Sequence, residues 1–308
     1  MTTMRAAVCV RAGGPEVLEM RELPVPAVRD GWSLVRVRGA GLNRSELRTR
    51  QGHSPDVRFP RVLGIECVGT VAASSDPALP EGTTVAAVMG EMGRQFDGGY
   101  AEFALLPNAL LMPLTTRLPW AVLAALPETF LTARGALDTL AMAAGDRLLI
   151  RGGTSSVGRA AASLATAAGI EVWATTRSPA KAGGRILLEG EPLPEQPTHV
   201  LDLVGARTVA DSLRLVRRGG TVCVAGSLSG WLIDGFEPIA MIPSGTRLTA
   251  FHSDNLKGAT AVLQRIVGQV EAGACRPHVD RAFALDDVVA AHRYTEENRA
   301  SGKVVLLP

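Results

Sequence analysis

The stretch Ile150–Ser178, IRGGTSSVGRAAASLATAAGIEVWATTRS, decides how the rest of the chain is read. An apolar strand runs into a turn of glycine and serine, the turn opens an alanine-rich helix, and a second strand follows that ends in Thr-Thr-Arg-Ser. A dinucleotide fingerprint requires this strand, turn and helix order. Read as G-x-G-x-x-G, Gly153 and Gly158 fit, and Ser155 stands where the middle glycine would be. The first glycine permits a tight turn and the last lets helix and strand approach, while the helix N-terminus directs free N–H groups at a pyrophosphate. Ser155 and Ser156 can add hydroxyl donors, and Val157 lies on the same turn. A packing loop that needs only small residues accounts for the same glycines, so the surrounding pattern has to decide.

The end of the second strand bears on which dinucleotide would bind. An NAD site carries Asp or Glu about 20 residues past the fingerprint to hold the ribose 2′-hydroxyl, whereas an NADP site places cationic groups there. The residues here are Thr175, Thr176, Arg177, Ser178 and Lys181, with no carboxylate among them. Arg177 offers a planar fork matched to a 2′-phosphate. Arg177 and Lys181 also read as ordinary solvated charges, but their position favours NADPH.

Working outward, the chain of 308 residues is 46% hydrophobic, enough for two domains with real cores. Lys+Arg 32 against Asp+Glu 30 gives a formal charge of +2. No electrostatic footprint for nucleic acid or an anionic membrane results. Cys9, Cys67, Cys223 and Cys275 are far apart and read as buried residues of a reducing compartment. No signal-like or membrane-spanning apolar run occurs, so a cytoplasmic protein with small-molecule partners is expected.

Residues 4–118 show short strand-like runs separated by turns, such as MRAAVCVRAGG and WSLVRVRGAGLN. The period turns helical at LPWAVLAALPETFLTARGALDTLAMAAGD, and strands and helices then alternate as in a parallel sheet: RLLIRGG, a helix over 158–168, EVWATT, HVLDLVG, a helix over 207–217, GTVCVAGS and RLTAFHS. The tail reads as two helices, ATAVLQRIVGQVEAG and DDVVAAHRYTEENRA, and a last strand, GKVVLLP.

GAGLNRSELRTRQGHSPDVRFPRVLGIECVGTV, FDGGYAEFALLP, LPETFLTARGAL, RGGTSSVG, ATTRS, RRGGTVCVAGSLSG and AHRYTEENRASGKVVL together carry a resemblance over nearly the whole length. The chain resembles the medium-chain dehydrogenase/reductase superfamily, in its zinc-independent quinone oxidoreductase branch. The resemblance implies an α/β protein with a GroES-like β-rich domain, 1–118 and 255–308, around a Rossmann-type doubly wound NADP-binding domain, 119–254. It also implies an active site in the cleft between them and hydride transfer from NADPH to a quinone, enone or other conjugated carbonyl.

Carried over by position, Asn43 lies by the nicotinamide and hydrogen-bonds the substrate carbonyl, where a donor stabilises developing enolate charge. Asn43-Arg-Ser-Glu46 equally fits a helix N-cap with a capping-box partner. Thr132 matches a threonine beside the nicotinamide, Val204, Gly205, Gly226 and Ser227 belong to cofactor-side loops, and Lys303 stands near the cofactor entrance. Zinc-dependent members have Cys and His where this chain has Asn43 and Ile65, so no metal is expected. Pairing of RLTAFHS with a second copy implies a homodimer.

The pattern breaks after Arg177. The segment SPAKAGGRILLEGEPLPEQPT replaces a helix, a strand and another helix, so one or two helices are expected to be missing. A parallel crossover needs about a dozen residues or more. RILLEG can add a strand or hairpin and EPLPEQP reads as irregular. The open adenosine end that this creates keeps two alternatives in view, a member of the fold that catalyses a non-redox cyclisation or isomerisation without the cofactor, and a non-enzymatic binding protein.

Overall fold

The computed structural model describes residues 2–230, 232–253 and 259–308. The chain divides into two compact units, one of Met1–Glu128, Asp254–Gly273 and Val279–Pro308, the other of Thr129–Ser253 and Ala274–His278. The first division falls at Glu128/Thr129, within a helix, where the sequence pattern placed it at 118/119. The other expected boundary, at 254/255, lies outside the described residues.

The first unit is β-rich, as the short apolar runs require. Its strands are β1 Thr3–Cys9, β2 Leu18–Pro24, β3 Trp32–Leu42, β4 Arg61–Val62, β5 Glu66–Ser74, β6 Thr84–Val88, β7 Phe103–Pro107 and β8 Leu111–Pro113. Three of them form a sheet in the order β2-β1-β4. Helix α1 is Arg44–Arg50 and α2 is Trp120–Leu123. Apolar side chains of these strands and of the loops between them meet in one core that includes Val8, Val35, Leu63, Val71, Tyr100 and Leu106.

The second unit opens with α3, Pro127–Leu140, and then alternates β9 Arg147–Arg151, α4 Ser156–Ala167, β10 Glu171–Thr176, β11 Ile186–Leu188, β12 His199–Asp202, α5 Val209–Leu215, β13 Thr221–Val224, α6 Pro238–Met241 and β14 Arg247–Ala250. The chain then returns to the first unit with α7 Thr260–Glu271, β15 Val279–Ala284, α8 Val288–Glu296 and β16 Lys303–Leu307. There the seven-stranded sheet runs β15-β16-β3-β5-β6-β8, with β7 on β3.

All strands of the second unit are parallel, in the order β11-β10-β9-β12-β13-β14. This is the doubly wound order 3-2-1-4-5-6, with its switch point between β9 and β12. Neither β10–β11 nor β11–β12 is joined by an α-helix, so both helices of the full pattern are missing. A parallel crossover in so short a segment works because β11 is only three residues long and pairs with Ala174–Thr176, the far end of β10. The chain need drop back only about 7 Å along the sheet, two strand residues, not its full height. A 3-10 turn at Pro179–Lys181 and a tight reversal between Gly183 and Ile186 accomplish it.

Candidate functional site

In the second unit the fingerprint turn is built as the sequence suggests. Gly153 N–H donates to the Thr175 carbonyl at 2.9 Å, fastening the turn to β10. A Cβ at Gly153 would meet the Ala174 Cβ at 2.3 Å, so only glycine lets the turn lie this close. Ser155 is the N-cap of α4: its Oγ accepts from Gly158 N at 3.1 Å and donates to the Gly152 carbonyl at 2.8 Å. Its hydroxyl is therefore committed to the turn and is not the free phosphate donor expected. What remains for an anion is the N-terminus of a 12-residue helix, where Ser156 and Val157 present their amides.

Across the switch point, two further loops gather. Buried Asp202, at the end of β12, accepts from Val204 N at 3.0 Å, Gly205 N at 2.9 Å and Thr208 Oγ1 at 2.8 Å. The loop after β13 is tied to it, with Ser229 N–H on the Val204 carbonyl at 2.8 Å. Val204, Gly205, Gly226 and Ser227 thus share one edge with the cradle, Gly152 lying against Leu203 and Val204. Thr132 is buried on α3. Asp202 was not singled out from the sequence, although an acid closing a strand before a Gly-containing loop is a signal for it.

At the end of β10, Arg177 is exposed, Thr176 is buried and Lys181 is half-buried. The structure corrects one point here. A carboxylate does reach this end, from β11: Glu189 accepts from Thr175 Oγ1 at 2.9 Å and is ion-paired to buried Arg151. Arg151 also holds Asp211 at 2.8 Å. Glu189 escapes a spacing rule because it arrives immediately after the next strand.

The first unit concentrates charge at one buried point. Asn43 follows β3 directly and caps α1, with its N–H on Glu46 Oε2 at 3.0 Å, completing the capping box. The Lys303 ammonium, at the start of β16, donates to Asn43 Oδ1 and to Glu66 Oε1, each at 2.6 Å. Asn43 Nδ2 donates to Glu66 Oε1 at 2.9 Å and, loosely, to Glu46 Oε1 at 3.4 Å. Glu66 Oε2 accepts from Glu128 N at 2.9 Å and Glu46 Oε1 from Ile65 N at 2.9 Å. Room for this array comes from Gly41, where a Cβ would meet Glu66 Oε1 at 2.0 Å and Lys303 Cε at 2.5 Å. Glu66 is wholly buried and Lys303 is 2% exposed. Lys303 is thus buried, and its ammonium is spent inside its own unit. Asn43 likewise can offer an N–H to a ligand only by giving up the long contact to Glu46.

Burial pushes the Glu46 carboxyl up to about 7, against the Ile65 hydrogen bond and the Lys303 charge, which pull it down. At neutral pH the array can hold or release one proton. Its chemistry does not fit zinc. The donors are an amide and two carboxylates without imidazole, and Lys303 already supplies the positive charge that Glu66 requires. The Cys67 thiol is pushed up to about 12 by burial, far from the thiolate that binds a metal. Among the described residues no group of three or more His, Cys, Asp and Glu is placed to hold a metal ion, and no helix is long and apolar enough to cross a membrane.

Comparison with known proteins matches both units. Residues 29–116 fit the alcohol dehydrogenase GroES-like domain, and residues 189–306 fit the family described as zinc-binding dehydrogenase. Human quinone oxidoreductase is 28% identical, over 99% of this chain and 98% of its own. Among solved structures, an NAD-dependent alcohol dehydrogenase superposes with a TM-score of 0.87 at 29% identity, covering 99% of this chain and all of the other. A mycobacterial protein in complex with NADPH superposes with a TM-score of 0.84 at 25% identity, over 99% and 100% of the two chains.

Proposed function

This chain belongs to the medium-chain dehydrogenase/reductase superfamily, in its quinone oxidoreductase-like branch, and on that footing we propose that it is a zinc-independent, NADPH-dependent reductase of a quinone, enone or other conjugated carbonyl. It is an oxidoreductase of small molecules by its relatives. The finer reading rests on residues of this chain. The cradle at Gly153–Gly158 suits a pyrophosphate because its glycine permits close approach and its helix directs amides outward. Arg177 suits a 2′-phosphate by charge and shape.

NADPH, when bound, supplies the hydride. The observation that carries the proposal is the Asn43, Lys303, Glu66 and Glu46 array. Lys303 and Glu66 clamp the Asn43 amide in one orientation. The Asn43 N–H that is loosely held by Glu46 is the one available to a carbonyl oxygen. As negative charge develops on that oxygen, the donated hydrogen bond strengthens, and the nearby ammonium adds a fixed favourable field. Glu46, poised near neutrality, is the group that can give up a proton to the reduced product.

Fluorescence titration of the purified protein with NADPH and NADH, followed by turnover of an enone and a quinone, tests the reading. NADPH should bind the tighter, and Asn43→Ala should lower kcat by roughly 10²-fold, the scale for losing one preorganised donor. Chelator-washed protein should retain activity and hold no stoichiometric zinc. The helix-free connections beside β11 favour one alternative, a non-redox cyclisation or isomerisation. No NADPH binding at millimolar concentration, with an organic ligand still bound, would select it. The exposed edge of β14 is the proposed site of pairing in a cytoplasmic homodimer, which light scattering on the purified protein tests.

A further inference from the structure

Three side chains of the first unit, Arg50, Tyr100 and His292, are wholly buried. Five of their polar atoms, Arg50 Nε and Nη1, Tyr100 Oη and both His292 ring nitrogens, have no hydrogen-bond partner among the described residues. A buried donor or acceptor left unmet costs about 1–3 kcal/mol, so native interiors meet such groups with protein atoms or ordered water. Two of these side chains are also in contact. The Tyr100 and His292 rings meet edge to face with centroids 5.9 Å apart. Burial, with a smaller contribution from the Arg50 charge, holds His292 neutral, and the Tyr100 hydroxyl lies within the fields of Glu46 and Glu66. Glu46 and Arg50 are four apart on α1 and so share one face.

We propose that internal water joins these groups into a proton path, running from Glu46 past Tyr100 and His292 to the Arg50–Glu296 ion pair at the surface. The inference rests on the reductase reading for its use. Water is the occupant because the unmet atoms include both donors and acceptors: a neutral imidazole offers one of each and a phenol offers both. An anion only accepts. Moreover, Arg50 Nη2 already holds both Glu296 oxygens at 2.9 Å, so its charge is matched. Glu296 is 33% exposed and bonded to Gln51, which gives the path its outlet. The other group facing Arg50 is Cys9 on β1, whose thiol is pushed up to about 11 and is bonded to the Arg11 carbonyl at 3.3 Å. It stays protonated and takes no part.

With NADPH bound, reduction of a conjugated C=C–C=O would form one C–H bond at the β-carbon from the hydride it supplies, leaving an oxidised nicotinamide and an enolate. The enolate then takes one proton from Glu46. The Glu46 carboxylate that this leaves is returned to the carboxylic acid by one net proton entering at Glu296, each hydroxyl and imidazole on the way returning to its starting state.

Two measurements test this. Stopped-flow with a pH indicator follows proton uptake beside NADPH oxidation with an enone. Tyr100→Phe, which keeps ring and volume, should slow proton uptake and steady-state turnover at least tenfold and enlarge the solvent isotope effect. Glu296→Gln, at the exposed end, should act in the same direction. Uptake unchanged in both variants overturns the path. Water-17O relaxation dispersion on the resting wild-type protein, which needs no activity, should detect long-lived internal water that Tyr100→Phe reduces. A dry cluster, or one holding chloride, overturns the inference even if the protein reduces enones. Absence of reductase activity with the water signal intact would instead fail the functional reading alone.

Discussion

Removing the Lys303 ammonium is the sharpest perturbation of the first unit. Lys303→Met keeps the length of the side chain but deletes two 2.6 Å charge-assisted bonds, one to Glu66 and one to Asn43. Glu66 would be left as a wholly buried carboxylate. Losing one partner of a buried ion pair costs about 3–5 kcal/mol, because the remaining charge is uncompensated. Glu66 keeps hydrogen bonds from Asn43 Nδ2 and Glu128 N, both at 2.9 Å, which places the expected loss near the lower figure, about 3 kcal/mol. At roughly 2–4 °C per kcal/mol for a chain of this size, Tm should fall by about 6 °C or more. Thermal melts and urea titrations at neutral pH read it. The companion Lys303→Met/Glu66→Gln removes the stranded charge and should recover most of the loss, giving a coupling energy well above that of independent sites. A single variant within about 1 kcal/mol of wild type, or a double variant whose loss is the sum of the singles, would refute the account.

Arg177→Asp should weaken NADPH binding by about 1.5–3 kcal/mol, the worth of hydrogen bonds to a charged group, while leaving NADH nearly unchanged; equal losses would remove Arg177 from the 2′-phosphate. Gly153→Val forces a Cβ to within 2.3 Å of the Ala174 Cβ, so titration should show both dinucleotides lost together, with a stability cost of about 1–3 kcal/mol from overpacking. Acid should destabilise the first unit through His292, whose imidazole is lowered to about 3 from its ordinary 6.5, mainly by burial. Between those values the unfolded chain binds the extra proton, so stability falls as pH falls. Glu46, raised to about 7, acts oppositely, with stability falling as pH rises from its ordinary 4.5 toward 7. The two oppose each other in the middle, and the histidine governs below about pH 4.5. Melts taken down to acid pH should therefore be flatter for His292→Phe than for wild type; parallel curves would count against the assignment.

The doubly wound unit was legible because its signals are local. A strand, a glycine turn and a helix are contiguous in 150–178, and the alternation that follows has the period of a parallel sheet. The N-cap role of Asn43 with Glu46 was legible for the same reason, at a spacing of three. Lys303 was not, since its partner Glu66 is 237 positions away and meets it only across the sheet. Arg50 and His292 sit in helices where a charged or polar residue ordinarily reads as a solvated face, and nothing local marks them as buried. The crossover-length rule left RILLEG open between strand and hairpin, because it presumes strands that pair along their full height, whereas β11 pairs only at the end of β10.

That short strand also bears on the dinucleotide preference. With two helices absent, the wall beside β10 is made by β11 and by the Glu189–Arg151–Asp211 cluster behind it. A carboxylate here is the group that ordinarily selects NAD, by binding the ribose 2′-hydroxyl and repelling a 2′-phosphate. Glu189, however, is engaged through both oxygens, although its side chain is 28% exposed. It is bonded to the Thr175 hydroxyl and matched by Arg151, whose side chain is 4% exposed and held in turn by Asp211. Its charge is thus largely cancelled within the unit and its oxygens are already occupied, while Arg177 stands exposed at the same strand end. On the proposed reading the preference for NADPH comes from neutralising a carboxylate, not from lacking one, and Arg151, buried under the cradle, is the residue on which that neutralisation depends.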